Sequence, residues 1–280
     1  MELPARSSGV MGESPVPLGA ATMPLSHLFQ RPKPIIGVLH VGPSPGVTGS
    51  RPVHCSVDRT VAEARLLIEH GVDGLLVENM HDMPIESDPG PEITAFLTRV
   101  ASAVKRQAGR RMPVGVRAMG GANRVALAVA VGASCDFIRV DNWAENTAEA
   151  GRLLRLRHAL GANALPILAD LRPDCAADCA RLVARATEHR ADGFTVLGSG
   201  RGEPPNPECL DTVLRATDLP VLVGGGLDST NLIDFVDLAD GFLVGSGLKE
   251  GSDWRAPVCE ERVRALVGAV EYARGQEVAS

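Results

Sequence analysis

Two glycine-rich turns near the end of the chain constrain its fold more than any other feature. The run VLVGGGLD (residues 221–228) is followed by ADGFLVGSGLK (residues 239–249), and each passes from a short apolar run through glycines into a helix-like segment. A buried parallel strand connects to the following helix in this way, and the bare backbone N–H groups of such a turn can bind an anion. Two such turns in succession predict the last two units of a (β/α)₈ barrel, with a phosphate-sized site between them.

The same strand–helix pattern repeats from residue 34 onward. Short apolar runs rich in β-branched residues alternate with amphipathic segments, which is typical of a parallel sheet covered by helices. We expect strands at residues 35–40, 74–79, 112–118, 136–140, 166–170, 193–198, 220–225 and 241–245. We expect helices at about 58–71, 91–107, 123–132, 147–160, 175–189, 207–216, 229–238 and 255–273. Eight units favour a closed barrel over an open, doubly wound sheet.

The joints between these units indicate one continuous domain. Several helices end on a short step that closes with an aspartate, at Asp73, Asp192 and Asp240, so we expect one helix-to-strand turn to be reused. No linker interrupts the series, which predicts a single (β/α)₈ barrel over residues 28–280. Residues 1–27 contain a stretch rich in Pro, Ser and Gly without the charged and apolar regions of a signal peptide, so we expect a disordered extension there.

Composition argues against several partners. The net charge of −6 and an aromatic content of 3% argue against a nucleic acid. No apolar run is long enough to span a membrane. The six cysteines are scattered through a long chain, which predicts a reducing compartment, the cytoplasm, rather than disulfides. A homo-oligomer is possible, because barrels with apolar helix faces often pair, but the sequence does not decide it.

Neither a metal nor a cofactor is expected. Cys175 and Cys179 share a helix face, but two ligands are too few for a structural zinc site. The segment LGSGRG (residues 197–202) lacks the spacing of a dinucleotide-binding motif. Three residues, His40, Asp141 and Asp170, could be assembled as metal ligands, but their spacing gives no motif to support this. We therefore expect a small anionic substrate as the principal partner.

Polar residues at the predicted carboxyl ends of the strands are the candidates for catalysis, because function in such a barrel sits at that face. Glu78 and Asp170 each follow an apolar strand, where partial burial can raise a carboxyl pKa into the range for acid–base work. His40 could donate to an oxyanion or transfer a proton. Each of the three could instead have a structural hydrogen-bonding role. The candidate substrate-binding residues are Asn79, Arg117, Arg139 and Asp141, although the two arginines could equally pair with Glu78 or Asp170.

The glycine turns form the candidate phosphate site. They are more informative together than singly, because a phosphate site built after strands seven and eight is frequent in these barrels. The predicted phosphate-binding residues are Gly198, Gly200, Gly224, Gly225, Gly226, Gly245, Ser246 and Gly247. Lys249 lies close by in sequence and could add positive charge or simply point to solvent.

A set of motifs in this chain resembles a known family. The segments KPIIGVLHVGPSPG, DGLLVENMHDMP, PVGV, DFIRVD, ILAD, PVLVGGGLDSTN and ADGFLVGSGLKEG occur in the order typical of the BtpA (SgcQ-like) family. The resemblance runs over about residues 28–267. It implies a TIM barrel similar to those of phosphoribosylanthranilate isomerase and the tryptophan synthase α subunit. It also implies roles linked to photosystem I accumulation or to sugar and nucleoside metabolism.

The chain departs from that family pattern at the predicted mouth of the barrel. Arg117 stands where the family usually has Asn, and residues 120–122 replace an Arg-Asn-Asp sequence. Asp174 and Cys175 replace a Lys-His pair, and Arg201 replaces a Thr. The resemblance therefore implies a divergent member with an altered substrate or reaction, or one that has lost catalysis.

Three functional hypotheses follow from the sequence. The first is an enzyme acting on a small phosphorylated sugar or a nucleotide- or nucleoside-like substrate by carboxylate acid–base catalysis. Isomerisation and the cleavage or formation of a glycosidic-type bond both fit, and the sequence does not separate them. The second is a non-catalytic assembly or regulatory barrel that retains a ligand pocket, and the third is a metal-dependent hydrolase.

Overall fold

The computed structural model describes residues 27–200 and 202–279. Most of the predicted extension, residues 1–26, and the divergent position Arg201 lie outside the described residues. The described chain contains a closed parallel barrel in which each strand pairs with its sequence neighbours and β8 pairs with β1. The expected (β/α)₈ barrel is therefore confirmed.

The barrel strands are short and fully buried, as the continuous apolar runs predict. They are β1 (Ile35–His40), β2 (Gly74–Glu78), β3 (Val114–Arg117), β4 (Phe137–Val140), β5 (Ile167–Leu171), β6 (Gly193–Val196), β7 (Val221–Gly224) and β8 (Gly241–Val244). In the part of the chain that the structure describes, seven α-helices surround them: α1 (Val53–Glu69), α2 (Pro91–Ala108), α3 (Asn123–Ala133), α4 (Thr147–Ala159), α5 (Ala176–Glu188), α6 (Pro207–Arg215) and α7 (Glu260–Ala279).

Helix boundaries differ from the expectation at three places. α1 begins at Val53, because the extended Pro52 ends the preceding loop, and Asp58 lies inside the helix rather than at its start. The helix expected at 229–238 is only a 3₁₀ turn (Leu232–Phe235), although the Asp228 side chain accepts hydrogen bonds from the backbone N–H groups of Thr230 and Asn231 as a helix N-cap does. α7 begins five residues later than expected, because 3₁₀ turns and a β-bridge occupy the intervening loop.

A recurring aspartate joins helices to strands at the amino end of the barrel, as expected. The Oδ2 atoms of Asp73, Asp192 and Asp240 each accept a hydrogen bond, of 2.8–2.9 Å, from the backbone N–H of Ile35, Ile167 and Val221, respectively. Asp136 does the same for Val114. Each aspartate lies just before one strand and accepts a hydrogen bond from the start of the preceding strand. It thus helps to fix the register between these two neighbouring strands.

Apolar side chains fill the lower part of the barrel and leave its upper rim for chemistry. Phe29 packs edge-on against Phe137, with 6.3 Å between the ring centroids, and closes the amino end. Above them lie Ile36, Val38, Leu76, Leu168, Leu222 and Leu243. In the described residues, the buried charged side chains of the strands, Glu78, Arg117, Arg139 and Asp170, lie at or near the carboxyl ends, so the fold directs a polar site to that rim.

Candidate active site

A cleft at the carboxyl ends of the strands has two adjoining lobes. The glycine lobe has a volume of about 480 Å³ and is lined by the turns after β7 and β8 together with His40. The acidic lobe, of about 400 Å³, is lined by Asp141, Asp170 and neighbouring residues. Four residues line both lobes: Glu78, Met80, Arg117 and Arg172. The two lobes therefore adjoin each other across a charged boundary.

Two arginines and three carboxylates form a buried cluster beneath this boundary, which we call the arginine–carboxylate cluster (Glu78, Arg117, Arg139, Asp141 and Asp170). Arg117 donates from Nη1 to Glu78 at 2.8 Å and from Nη2 to Asp141 at 2.6 Å. Arg139 donates to both oxygens of Asp170, at 2.6 and 3.0 Å, and its Nη1 lies 3.5 Å from Glu78. Both arginines thus pair with carboxylates, and both also line the glycine lobe.

The cluster gives its three carboxyls different proton affinities. Burial opposes ionisation of Glu78, but Arg117 and Arg139 outweigh it and lower the Glu78 pKa below its ordinary value. Burial also opposes ionisation of Asp141, yet Arg117 and a hydrogen bond with Asp170 lower its pKa to about 2. For Asp170, burial dominates over the pull of Arg139 and Arg117, and ionised Asp141 adds to it, so its pKa rises to about 6. Of the three, Asp170 is the group suited to exchange a proton near neutral pH.

His40 is held in one orientation at the end of β1. Its Nδ1 lies 3.0 Å from the backbone oxygen of Trp254, which can only accept a hydrogen bond, so the Nδ1 proton is donated there. The other ring nitrogen, Nε2, faces Gly245 closely enough that a Cβ there would lie 2.9 Å from it. The side chain is 7% exposed, and burial lowers the His40 pKa below its ordinary value. Neutral His40 therefore presents the Nε2 lone pair to the glycine lobe.

The turns after β7 and β8 meet in one lobe. Gly225 and Gly226 have φ values of 81° and 58°, a conformation that glycine adopts without strain. Gly245, Ser246 and Gly247 line the same lobe from the next turn. A Cβ on Gly247 would collide with the Leu227 backbone oxygen, so glycine is required for the two turns to approach each other.

Two of the predicted phosphate-site glycines are not at the lobe surface. Gly224 ends β7 within the sheet, and Gly198 packs under the backbone of Glu203 and Pro204. Gly200 does line the lobe, but its N–H donates to the Glu203 carboxylate at 3.0 Å. One candidate donor is thus already occupied by the protein.

Asn79 and Lys249 face away from the cleft. Asn79 donates to Asp82 at 2.8 Å and accepts from the Met119 backbone N–H at 2.8 Å, so it fixes the turn after β3 and lines neither lobe. Lys249 neither reaches the glycine lobe nor points to solvent. It is fully buried, and its Nζ lies 3.5 Å from Glu63 of α1.

Arg172, two residues beyond Asp170, was missed in the sequence. It lines both lobes, and within the described residues its side chain has no hydrogen bond or ion pair. Burial lowers the Arg172 pKa. A ligand can therefore bind Arg172 without displacing a protein partner. The sequence could have identified Arg172 from its position just after β5, because the loop that begins there borders the carboxyl-terminal face of the barrel, where function sits.

The described residues also bear on the expectations for metal ligands, disulfides and membrane-spanning helices. In the parts of the chain that the structure describes, no group of three or more His, Cys, Asp or Glu side chains is arranged to hold a metal. All six cysteines are free, and Cys175 is exposed whereas Cys179 is buried, so the pair does not present a shared surface. Across residues 27–200 and 202–279, no helix has the length and apolarity required to cross a membrane.

Solved structures with similar folds are barrel enzymes. The (S)-3-O-geranylgeranylglyceryl phosphate synthase of Thermoplasma acidophilum is 17% identical with a TM-score of 0.59, over 86% of this chain and 94% of that one. The phosphoribosyl anthranilate isomerase of Thermus thermophilus is 14% identical with a TM-score of 0.55, over 85% of this chain and 98% of that one. At these identities the likeness concerns the fold.

Sequence relatives place the chain more narrowly. An uncharacterised mitochondrial protein of Caenorhabditis elegans is 31% identical over 262 residues, covering 85% of this chain and 94% of that protein. The photosystem I biogenesis protein BtpA of Synechocystis is 30% identical over 267 residues, covering 89% of this chain and 91% of that protein. The model of the BtpA family matches residues 31–272. The chain belongs to the BtpA family.

Proposed function

We propose that this protein is an enzyme acting on a small phosphorylated substrate, whose phosphate binds in the glycine lobe while its reacting group extends toward Asp170. The observation that carries the proposal is that the two lobes adjoin each other. The glycine turns after β7 and β8 and the buried arginine–carboxylate cluster line adjoining lobes that share Glu78 and Arg117.

The glycine lobe has the chemistry for a phosphate. The lobe is lined by close-packed glycine turns that have no side chains to cover the backbone, and backbone bends of this kind can bind anions through their N–H groups. Arg172 adds a guanidinium at the boundary of the lobes. The structural neighbours are compatible with this use of the fold, since the Thermoplasma synthase was solved with its substrate sn-glycerol-1-phosphate.

Within the cluster we assign different roles to Asp170 and Glu78, the two carboxylates that the sequence predicted to be catalytic. Asp170, with a pKa of about 6, is the acid–base group. Glu78 stays ionised because Arg117 and Arg139 lower its pKa, so it orients those arginines toward the substrate. Isomerisation of a sugar phosphate, or cleavage or formation of a bond at an anomeric carbon, would each use these groups on a sugar or nucleoside-like substrate.

Ligand-dependent thermal stability tests the phosphate site. We expect inorganic phosphate and D-ribose 5-phosphate to raise the Tm, and D-ribose to leave it unchanged, because a ligand at a hundred times its Kd adds about 2.7 kcal/mol to the free energy of unfolding. If ribose stabilised the protein as much as ribose 5-phosphate, the phosphate would not be what the lobe recognises.

Gly245→Ala is the sharpest variant for this test. Gly245 has φ of −116°, which is not the left-handed region, and an added methyl group would enter the lobe 2.9 Å from Nε2 of His40. We expect the Tm shift with phosphate to fall. Gly268→Ala, on α7 with nothing near its added Cβ, is the matched control and should keep the full shift.

A non-catalytic role is the second candidate. The ion pairs of Arg117 with Glu78 and of Arg139 with Asp170 favour it, because charged side chains that neutralise one another can stabilise the fold without taking part in a reaction. The 30% identical Synechocystis relative is named for photosystem I biogenesis. In that case a partner protein would bind equally well to the Asp170→Ala variant, and no turnover of any phosphorylated compound would depend on Asp170.

A further inference from the structure

We propose that the reaction is a 1,2-proton shift in a phosphorylated α-hydroxy aldehyde or ketone, with His40 as the base and Asp170 as the acid on opposite walls of the barrel mouth. This inference rests on the proposed function and selects isomerisation over cleavage at an anomeric carbon. The strand order, the fixed tautomer of His40 and the position of the arginines each support it.

The first support is topological. His40 ends β1 and Asp170 lies in β5, and in the closed order of eight strands these two are four strands apart in either direction. Both side chains are buried and line the cleft, His40 in the glycine lobe and Asp170 in the acidic lobe. A substrate lying across both lobes would therefore have a proton acceptor on one side and a proton donor on the other.

The second support is the orientation of His40. Because Nδ1–H donates to the Trp254 backbone oxygen, the neutral ring has no proton on Nε2. Within the described residues Nε2 has no hydrogen-bond partner, and it faces the cleft beside Gly245. His40 thus begins the cycle as an acceptor. An oxyanion would instead need a donor at this position.

The third support is that Asp170 can lose and regain its proton in place. Arg139 holds both carboxylate oxygens, and Nη2 of Arg117 lies 3.6 Å from the second of them. These guanidinium groups stabilise the carboxylate once its proton has gone. Asp141, close by and already ionised, favours the protonated form beforehand.

The first half of the reaction forms an enediol. Nε2 of His40 takes the proton from the carbon that carries the hydroxyl group, and the C–H electron pair forms a carbon–carbon double bond. The carbonyl π electrons take the proton of the Asp170 carboxyl. The products of this step are a neutral enediol, an imidazolium and the Asp170 carboxylate.

The second half returns both groups to their starting state. The Asp170 carboxylate takes the proton of the other enediol hydroxyl, whose oxygen becomes the new carbonyl. The double-bond electrons take the proton of His40 at the former carbonyl carbon. The carbonyl and hydroxyl groups have exchanged positions on the two adjacent carbons, and no oxidant, reductant or co-reactant is needed.

Proton exchange with solvent provides the test. Wild-type protein is incubated in D₂O with dihydroxyacetone phosphate or D-ribulose 5-phosphate, and ¹H NMR follows the carbon-bound protons next to the carbonyl and the appearance of the aldose. We expect deuterium incorporation and aldose formation with at least one probe. His40→Asn and Asp170→Asn should each reduce the rate by about 100-fold or more, the usual contribution of an acid–base group.

Two matched variants serve as controls. His158→Asn and Asp88→Asn change the same residue types at exposed positions and should keep the wild-type rate. The His40→Asn variant should also keep a Tm shift with inorganic phosphate, which shows that it is folded and that the glycine lobe is intact.

Failure of the proton shift and failure of the phosphate site give different results. A wild-type protein that is stabilised by inorganic phosphate but exchanges no proton in either probe overturns the proton shift and leaves the phosphate site standing. Absence of both stabilisation and exchange overturns the proposed function as well. Full activity of His40→Asn overturns the assignment of the base.

A measurement on the wild-type protein covers the case in which the variants do not fold. In ¹⁵N NMR of histidine-labelled protein at pH 7, His40 should carry its proton on Nδ1 and leave Nε2 unprotonated. A proton on Nε2, in either the other tautomer or the imidazolium, would overturn its role as the base.

Discussion

The guanidinium group of Arg139 binds both carboxylate oxygens of Asp170, with Nε 2.6 Å from one and Nη2 3.0 Å from the other. The two side chains are 5% and 2% exposed. At this depth each charge depends on its partner, because water is not available to replace it. This pair therefore links the stability of the barrel to the chemistry of its mouth.

Replacing Arg139 with methionine should be strongly destabilising. At pH 8, where wild-type Asp170 is ionised, the variant removes the principal partner of its carboxylate, and removing one member of a buried ion pair costs up to about 3–5 kcal/mol. Urea denaturation measures the loss. Arg215→Met, whose side chain is 79% exposed beside Asp211, should change the free energy of unfolding by less than about 0.5 kcal/mol.

The double variant Arg139→Met/Asp170→Asn separates pairing from packing. If the charges are coupled, the double variant should lose less stability than the sum of the two single variants, because no unpaired carboxylate remains. Strict additivity would mean that the two side chains act independently in spite of their contact.

Asp170 should also make stability depend on pH in an unusual direction. Burial raises its pKa from 3.8 in the reference state to about 6 in the folded protein. Between these values the folded protein holds a proton that the unfolded chain has lost, so this contribution is complete below about pH 4 and disappears as the pH rises through 6. The slope is at most about 1.4 kcal/mol per pH unit.

The contribution of Asp170 is measured as a difference between proteins. The free energy of unfolding is measured for the wild type and Asp170→Asn from pH 4 to 6.5, and the two plots against pH should converge or cross with this slope. His40, whose lowered pKa acts in the opposite sense, is present in both proteins, so its effect cancels in the difference. Asp88→Asn, 88% exposed, should give a curve parallel to the wild type. A parallel curve for Asp170→Asn would show that its pKa is not raised.

The sequence predicted this fold well because the features that determine it are local. Apolar runs, glycine turns and the aspartates at positions 73, 192 and 240 each report on neighbouring residues or on one turn. Where the prediction of the fold was wrong, a helix start is present but the helix does not continue. The Asp228 carboxylate accepts from the backbone N–H groups of Thr230 and Asn231 as a helix N-cap does, yet only a 3₁₀ turn (Leu232–Phe235) follows.

The site was less predictable, because the direction of a long side chain depends on partners far away in sequence. Lys249 follows a glycine turn but extends to Glu63, 186 residues earlier. Asn79 follows β2 but bonds to the backbone of Met119 beyond β3. Arg172 has no such partner among the described residues, so nothing in its neighbourhood along the chain marks it beyond its position after β5.

Arg172 should contribute to anion binding rather than to folding. In Arg172→Met the Tm shift produced by inorganic phosphate should fall, because the guanidinium that borders both lobes is gone, while the Tm without ligand should change little. Loss of one charged hydrogen bond corresponds to roughly a tenfold weaker Kd. Arg152→Met, 64% exposed on α4, should leave the phosphate response intact. An unchanged response in Arg172→Met would place the anion elsewhere.

Substitution of Lys249 should have the opposite effect to substitution of Arg172: it should lower stability and leave phosphate binding unchanged. Its buried ammonium lies 3.5 Å from Glu63, which Arg59 also contacts at 3.2 Å, so Lys249→Met leaves a carboxylate that is still partly compensated. We expect a loss of about 1–3 kcal/mol in the free energy of unfolding, smaller than for Arg139→Met. Phosphate should still raise the Tm of this variant by the wild-type amount, because Lys249 lines neither lobe.

Glu63→Gln in the Lys249→Met background completes this comparison. Replacing the carboxylate removes the charge that the first substitution exposed, so the double variant should recover part of the lost stability. Urea denaturation measures the recovery, and thermal melts with and without inorganic phosphate measure the binding. A Lys249→Met variant that keeps its stability but no longer responds to phosphate would show that the ammonium group turns toward the glycine lobe in solution, contrary to the contact with Glu63.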